Sequence, residues 1–433
     1  MRSSQAIKVL AVALPLVITT GLWALSKLGD EGAMLELTLL LAVMELCGLY
    51  AMVLMAIGLM ITARSSIAES IYGGLDKSYR LHARLGEVGL VLVLVHLIAL
   101  IPGTRQLDTL FVPFTAAWWK GFGTLAFWIF VLLAPLTYWK KVAYQTWLSF
   151  HKWMGVPFLL AGIHTMGSTS DIKGFEPLRT WMLLWVTLGV GAWIYRTFIY
   201  QAAGPRYDYK VDGVTERGDG TWDLVLRPTR VRMNYEPGKF AFISVKNSPE
   251  LPPEHHPFSI SSSPVQRDLR FSYKACGDYT GALARVKKGT PVEVYGPFGQ
   301  FTLHQLGEFR HLLWIAGGIG ITPFLSMLSF ETTNDDFRKI RLFYSVRRDE
   351  DAVYDAEVRQ QITLADSYID YVKWVSNERG KLTADEILKI TGPIEDYAIM
   401  ICGPPAMARA LRKQFMQKGF RASRIVFEDF AFR

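Results

Sequence analysis

Six stretches of the first 200 residues are apolar enough, over enough length, to cross the hydrocarbon layer of a bilayer: roughly 6–26, 37–63, 81–102, 120–139, 146–167 and 178–200. A spanning helix needs about 20 mostly apolar residues. A chain with six such runs is predicted to fold there as a helix bundle in lipid. Past about Tyr200 the runs stop and ordinary globular sequence follows. The unevenness explains why half of the 433 residues are hydrophobic. A length of 433 residues also predicts two or three domains. The first run follows Lys8, as in a signal peptide. No small-x-small cleavage site follows it, and Trp23 and Leu25 stand where one is wanted, so an uncleaved span is expected.

The formal net charge of +8 would point to nucleic acid in a soluble protein. Here many basic residues flank the apolar runs, so orientation in a membrane is the better reading and no nucleic-acid partner is expected. The segment between spans two and three carries Arg64, Lys77, Arg80 and Arg84, and that between four and five carries Lys140, Lys141 and Lys152. The alternate segments hold Lys27, Arg105, Lys120 and Lys173, diluted by Asp30, Glu31, Asp108, Asp171 and Glu176. The basic excess puts the first set inside. The N-terminus and everything after span six are then expected in the cytoplasm, with the chain in the cell (inner) membrane. The cysteines are Cys47, Cys276 and Cys402. They form no CxxC pair, which argues against a zinc site or a disulfide framework.

Four histidines occur in the membrane half: His82, His96, His151 and His164, in spans three and five. Ionisable residues are costly in lipid, so a functional reading is the default. Both spans run from inside to outside. His82 and His151 lie near the inner ends, and His96 and His164 lie further out. Separations of 14 and 13 residues correspond to about 20 Å along each axis. Two porphyrins stacked across a bilayer need roughly that offset. An iron held by two imidazoles has no open position, which suits electron transfer. On an ideal helix, 14 steps return to within about 40° of one face, whereas 13 steps miss by about 140°. A kink or unwound turn at Gly155–Pro157 would change the second angle.

The pieces LDKSYRLHARLGEVGLVLVLVH and SFHKWMGVPFLLAGIH resemble the third and fifth spans of the ferric reductase transmembrane domain. That family includes the NADPH oxidases and metalloreductases. The resemblance implies an inner haem b on His82 and His151 and an outer haem b on His96 and His164.

From about Arg206 short alternating strands appear: TWDLVLRP, FAFISV, LRFSYKA and PVEVYG. Their spacing predicts a small antiparallel barrel. His256-Pro257-Phe258-Ser259-Ile260-Ser261-Ser262 is similar to the flavin motif of ferredoxin-reductase-like domains. The resemblance implies FAD held by His256, Pro257, Phe258, Ser259 and Ser262, with the Ser259 hydroxyl near the reactive ring edge. Gly277-Asp278-Tyr279-Thr280-Gly281 is read as a turn before a helix, where Thr280 and Gly281 would meet a pyrophosphate, with Lys274 as the basic residue beside it. Gly281 stands where some relatives carry arginine.

The segment His311–Ala316 reads as a buried strand, followed by Gly317-Gly318-Ile319-Gly320-Ile321-Thr322-Pro323 and an apolar helix. Strand, glycine turn and helix form the context of a dinucleotide site. It resembles the GGxGxTP turn of the reductases, which implies that Gly317, Gly318, Gly320, Thr322 and Pro323 hold the cofactor. The next strand ends at Arg347 and Arg348. Arginine there suits the 2′-phosphate of NADPH, with NADH as the alternative. A solvated cluster with Asp349, Glu350 and Asp351 is the competing reading. YAIMI leads into Cys402-Gly403-Pro404-Pro405, similar to the family's CGPP motif at the nicotinamide. Phe430, or else Phe432, would be the terminal aromatic that covers the flavin in relatives. A terminal strand packed into the domain is the alternative.

The expected organisation is thus a six-helix transmembrane bis-haem domain (1–203), a FAD-binding β-barrel (204–305) and an α/β NAD(P)H-binding domain (306–433). Electrons would pass from NADPH through FAD and both haems to dioxygen, giving superoxide. A ferric-chelate reductase is the first rival, and a haem-free membrane-anchored flavoprotein the second. The outer loops contain no cluster of Asp, Glu, His or Cys to hold a chelate, which favours oxygen. No calcium-binding loop is visible, and no obligate protein partner is expected.

Overall fold

The structure, a computed structural model, describes residues 2–28, 39–103, 111–114, 117–138, 142, 144–167, 171–307, 309–333, 338–364, 368–394 and 396–428. Asp30, Glu31, Arg105, Asp108, Lys140, Lys141, Phe430 and Phe432 lie outside the described residues. The chain forms two compact units, 1–203 and 204–433.

The first unit is helical. Its main helices are α1 (Arg2–Leu28), α2 (Leu39–Ile61), α3 (Leu75–Leu100), α4 (Trp118–Tyr138), α5 (Tyr144–His151), α6 (Gly155–Gly167) and α7 (Glu176–Ile194). Helix α3 starts six residues before the apolar run does, after a turn in which Gly73 and Gly74 take φ of 81° and 112°. Five helices among the described residues are long and apolar enough to span: Ala6–Leu28, Leu39–Ile61, Leu75–Leu100, Trp118–Thr137 and Glu176–Ile199. The expected fifth span, 146–167, is not one helix. It is broken into α5 and α6 by a 3₁₀ turn at Lys152–Met154. At 13 residues α6 is about 20 Å long, too short to cross alone. The break has a packing cause. Gly155 lies flat against the Trp193 ring where any Cβ would collide, and the Trp193 indole N–H donates to the Lys152 carbonyl at 2.7 Å. The helices pack around Met52, Val53, Ala56, Phe158, Leu178 and Met182. Their outer faces show large apolar side chains, among them Val9, Ile98 and Leu132, the surface that a lipid solvent requires.

The second unit holds two sheets. The first is antiparallel, built from β1 (Arg206–Gly218), β2 (Thr221–Pro228), β3 (Phe240–Val245), β4 (His256–Ser259), β5 (Leu269–Lys274) and β6 (Pro291–Phe298). Its order is β4-β3-β6-β1-β2-β5. A single bridge between Ile260 and Phe271 joins the two ends, so the sheet is curled rather than open. The second sheet is parallel: β7 (His311–Gly317), β8 (Lys339–Val346), β9 (Ile369–Val375), β10 (Ala398–Cys402) and β11 (Ile425–Glu428), in the order β11-β10-β7-β8-β9. Chain direction along the sheet reverses between β7 and β10. Ligands of such sheets bind at that switch point, outside the carboxyl ends of the strands. Here those ends are Gly317 and Cys402.

Candidate functional site

In the membrane unit the four histidines come together as two pairs. The His82 and His151 ring centres are 5.8 Å apart with planes at 90°, and those of His96 and His164 are 6.4 Å apart at 77°. Metal–imidazole bonds of about 2 Å put two rings on one metal at roughly this separation. Among the described residues no group of three or more His, Cys, Asp or Glu is placed to hold a metal ion. Two nitrogens alone fit a metal whose other positions a macrocycle already fills. The donor set therefore fits haem.

The broken span accounts for the pairing that an ideal helix denies. The three residues of the 3₁₀ turn rotate about 120° each instead of 100°, which narrows the miss between His151 and His164 from about 140° to about 80°. Three of the rings are held by backbone carbonyls. His82 Nδ1 meets the Gly58 carbonyl at 3.0 Å, His96 Nδ1 that of Met44 at 2.7 Å, and His164 Nδ1 that of Trp119 at 3.0 Å. A carbonyl only accepts, so Nδ1 must carry the proton and Nε2 is left bare to ligate. His151 is held differently: it stacks on Trp147 at 4.8 Å, and the Thr137 hydroxyl is 3.5 Å from its Nδ1.

Glycine makes the close approach possible. A Cβ on Gly123 would sit 2.7 Å from His164 Nδ1, and one on Gly48 would sit 3.0 Å from His96 Nδ1. At Gly58 the distance is a looser 3.4 Å, to His82 Nδ1. Reading for chemistry-bearing side chains passes over these glycines. Their signal is spacing: Met44 and Trp119 lie four residues before Gly48 and Gly123, so ring and glycine share one carbonyl's surface.

In the second unit a cleft of ≈1370 Å³ runs between the two sheets. His256, Pro257, Phe258, Ser259, Lys274 and Thr280 line one wall; Gly317, Gly318, Gly320, Thr322, Arg347, Arg348, Gly403 and Pro404 line the other. Four expected residues stand elsewhere. Ser262 is buried, its hydroxyl 2.9 Å from that of Tyr235 and accepting the Arg270 N–H at 3.0 Å. Gly281 lies inside the helix α8 (Asp278–Leu283), which starts four residues earlier than expected, and its N–H already bonds the Gly277 carbonyl at 2.9 Å. Pro323 is buried in the first turn of α9 (Thr322–Glu331). Cys402 is fully buried, and burial, with Glu428 nearby, pushes its thiol well above the ordinary range. Its side chain packs the nucleotide-domain core rather than facing the cleft.

The glycines divide by role. Gly320 rests on the Cys402 carbonyl, and a Cβ on Gly403 would sit 2.9 Å from the Gly317 Cα. These three let the turns after β7 and β10 touch. Gly318, at φ +52° with open space around it, is the one that a ligand can approach. The two arginines also differ. Arg348 pairs with Asp351 at 2.8 Å, Glu350 at 2.5 Å and Asp219 at 3.5 Å. Asp219 also holds Lys274. Arg347, among the described residues, makes no ion pair. The His256 ring stacks on Tyr279 at 3.6 Å, a contact that the motif does not announce.

Between the walls runs a buried polar seam. Arg270 on β5 grips Glu357, on α10 (Asp355–Leu364), with two bonds of 2.6 and 3.0 Å. Asp223, 1% exposed, accepts from Ser272 at 2.5 Å and from Tyr354 at 2.7 Å. Burial and the Asp223 charge push the Tyr354 phenol up, so it stays a donor. The Ser326 hydroxyl on α9 donates to the Ser262 carbonyl at 2.5 Å. The last residue of the flavin motif is thus tied directly to the helix after the glycine turn.

Three family models match along the chain: a ferric reductase like transmembrane component over residues 47–162, a FAD-binding domain over 219–305, and an oxidoreductase NAD-binding domain over 314–413. Among curated proteins, the gamma subunit of sulfhydrogenase 2 from Pyrococcus furiosus is 25% identical over 207 residues, 44% of this chain and 70% of that protein. An electron transfer subunit of dihydroorotate dehydrogenase B (NAD(+)) from Bacillus cereus is 31% identical over 199 residues, 46% of this chain and 73% of that protein. Flavohemoprotein A of Dictyostelium discoideum is 27% identical, and this chain spans 60% of its length. A solved flavohemoglobin from Malassezia yamatoensis is alike in fold, with a TM-score of 0.53 at 16% identity, covering 90% of this chain and 97% of that one.

Proposed function

Because this chain belongs to the ferric reductase and NADPH oxidase family, with a transmembrane component joined to FAD- and NAD-binding domains, we propose that it carries electrons from cytoplasmic NADPH through FAD and two b-type haems to dioxygen on the far side of the cell membrane, giving superoxide. The observation that carries the haem part is the pair of histidine couples at 5.8 and 6.4 Å. When bound, the flavin turns a hydride pair into single electrons and the haems relay them.

The chain's own residues supply placement. The Gly58, Met44 and Trp119 carbonyls aim the bare Nε2 atoms of His82, His96 and His164. The short strand β4 sets Ser259 at the cleft wall. Thr322 opens α9, whose first-turn N–H groups favour a pyrophosphate. Arg347 is the group for the 2′-phosphate, while Arg348 is already balanced by three carboxylates. The basic segments flanking the spans support a cytoplasmic N-terminus and a cytoplasmic second unit.

A reduced-minus-oxidised absorption spectrum of the purified protein should show low-spin haem b; a spectrum with flavin alone would sink the haem assignment. Superoxide formation should exceed ferric-chelate reduction under identical conditions, and a rate unchanged by removing oxygen would transfer the role to a chelate or another acceptor. Arg347→Ala should raise the KM for NADPH about tenfold or more and leave that for NADH nearly unmoved. Equal effects on both would remove the 2′-phosphate role.

A further inference from the structure

The hairpin between β1 and β2 turns on Asp219 and Gly220, at φ of 49° and 65°, between the paired residues Gly218 and Thr221. Asp-Gly suits a turn with two positive φ angles, and Asn-Gly suits it equally. The turn therefore needs a short polar side chain but no charge. The charge acts across the cleft. One Asp219 carboxylate oxygen accepts from the Lys274 ammonium, on β5, and the other lies 3.5 Å from the Arg348 guanidinium, just past β8. Lys274 and Arg348 line opposite walls of the cleft, and Asp219 lines it with them. Among the described residues, Lys274 has no other ion-pair partner.

Charge and exposure decide what that link does. Arg348 also meets Glu350 at 2.5 Å and Asp351 at 2.8 Å, and the Lys274 charge reaches Asp351 as well. Two cations thus face three carboxylates, an excess that repels a phosphate. Lys274 and Arg348 are each half-exposed, and ion pairs so placed are weak enough to exchange partners. A phosphate monoester is the stronger acceptor for both. The neighbour of Arg348 is Arg347, which lines the same wall. We infer that Asp219 is a specificity-determining residue of the nucleotide site. Its carboxylate engages Lys274 and Arg348 and so holds down the preference for a dinucleotide that carries a 2′-phosphate over one that lacks it. This role rests on the 2′-phosphate reading of Arg347 above.

The test titrates the full chain in detergent with adenosine 2′,5′-bisphosphate and with adenosine 5′-monophosphate, which differ by the 2′-phosphate alone. KM values for NADPH and NADH are taken with ferricyanide as acceptor. Asp219→Asn keeps the turn and removes the charge. It should tighten the bisphosphate about threefold and leave the monophosphate at the parent value. The KM for NADPH should fall by the same factor, and that for NADH should stay. An equal gain for both ligands would mean that the charge acts on the phosphates they share, and overturns the specificity role. An equal loss for both would mean that Asp219 only staples the two walls, and overturns it too. Should the Asn variant not accumulate, Asp219→Gly suits the positive φ and should give the same selective gain. A parent that prefers the bisphosphate, with the variant identical to it, overturns the role of Asp219 alone. A parent without preference whose Asn variant acquires one would sink the NADPH reading and leave the role of Asp219 standing.

Discussion

The membrane bundle and the soluble module fix their functional groups in opposite ways. In the bundle each histidine answers to its own immediate neighbours: a carbonyl for three of them, a hydroxyl and an indole face for His151. The two pairs share α3 but not their supports. In the module, the flavin motif, the glycine turn and α10 answer to one network through Arg270, Glu357, Asp223 and Ser326. Lipid explains the contrast. A bundle in hydrocarbon cannot hold many polar side chains cheaply, so it uses carbonyls that the helix already supplies. The module can bury a network because every member finds a partner. Damage to the bundle should therefore stay local, and damage to the module should spread.

The largest expected effect tests locality directly. His164→Ala should remove the outer haem's absorbance and cut delivery to an external acceptor more than about a hundredfold, with flavin reduction by NADPH unchanged. Loss of both haems in that variant would break the comparison. A pair of identical changes sharpens it. Gly123→Ala pushes a methyl to 2.7 Å from the His164 ring and should weaken outer-haem retention about 10- to 100-fold. Gly58→Ala meets His82 at 3.4 Å, ordinary contact, and should leave the inner haem near the parent level in the same assay. The smallest effect tests the module. Arg270 and Glu357 keep 19% and 25% of their side chains exposed, so Glu357→Gln should cost only about 1–2 kcal/mol in flavin-monitored melting. It should nevertheless slow hydride transfer severalfold, because the network positions both walls of the cleft. A slower rate confined to one cofactor's binding, seen as a KM change alone, would show that the seam is not shared.

Much of this was legible beforehand because it is written in local pattern. Apolar length marks the spans, and strand–glycine–helix order marks the nucleotide turn at Gly317–Thr322. Four histidines in two pairs, each pair at one depth, mark the membrane site. What escaped was decided across distance. The fifth span looks continuous by composition, but a tryptophan 38 residues after Gly155 makes the break, and no local signal records that contact. Ser262 reads as part of a flavin motif, but no local signal records that its carbonyl accepts the hydroxyls of Tyr235 and of Ser326, 64 residues on.

By itself, then, the sequence determined which groups are present, in what order, and which half lies in lipid, because hydrophobic length and turn chemistry act over a few neighbouring residues. The tertiary structure alone decided how His151 and His164 face α3, which of two adjacent arginines is committed to carboxylates, and which glycines serve a ligand rather than a neighbouring turn. Each of these depends on atoms brought together from distant parts of the chain.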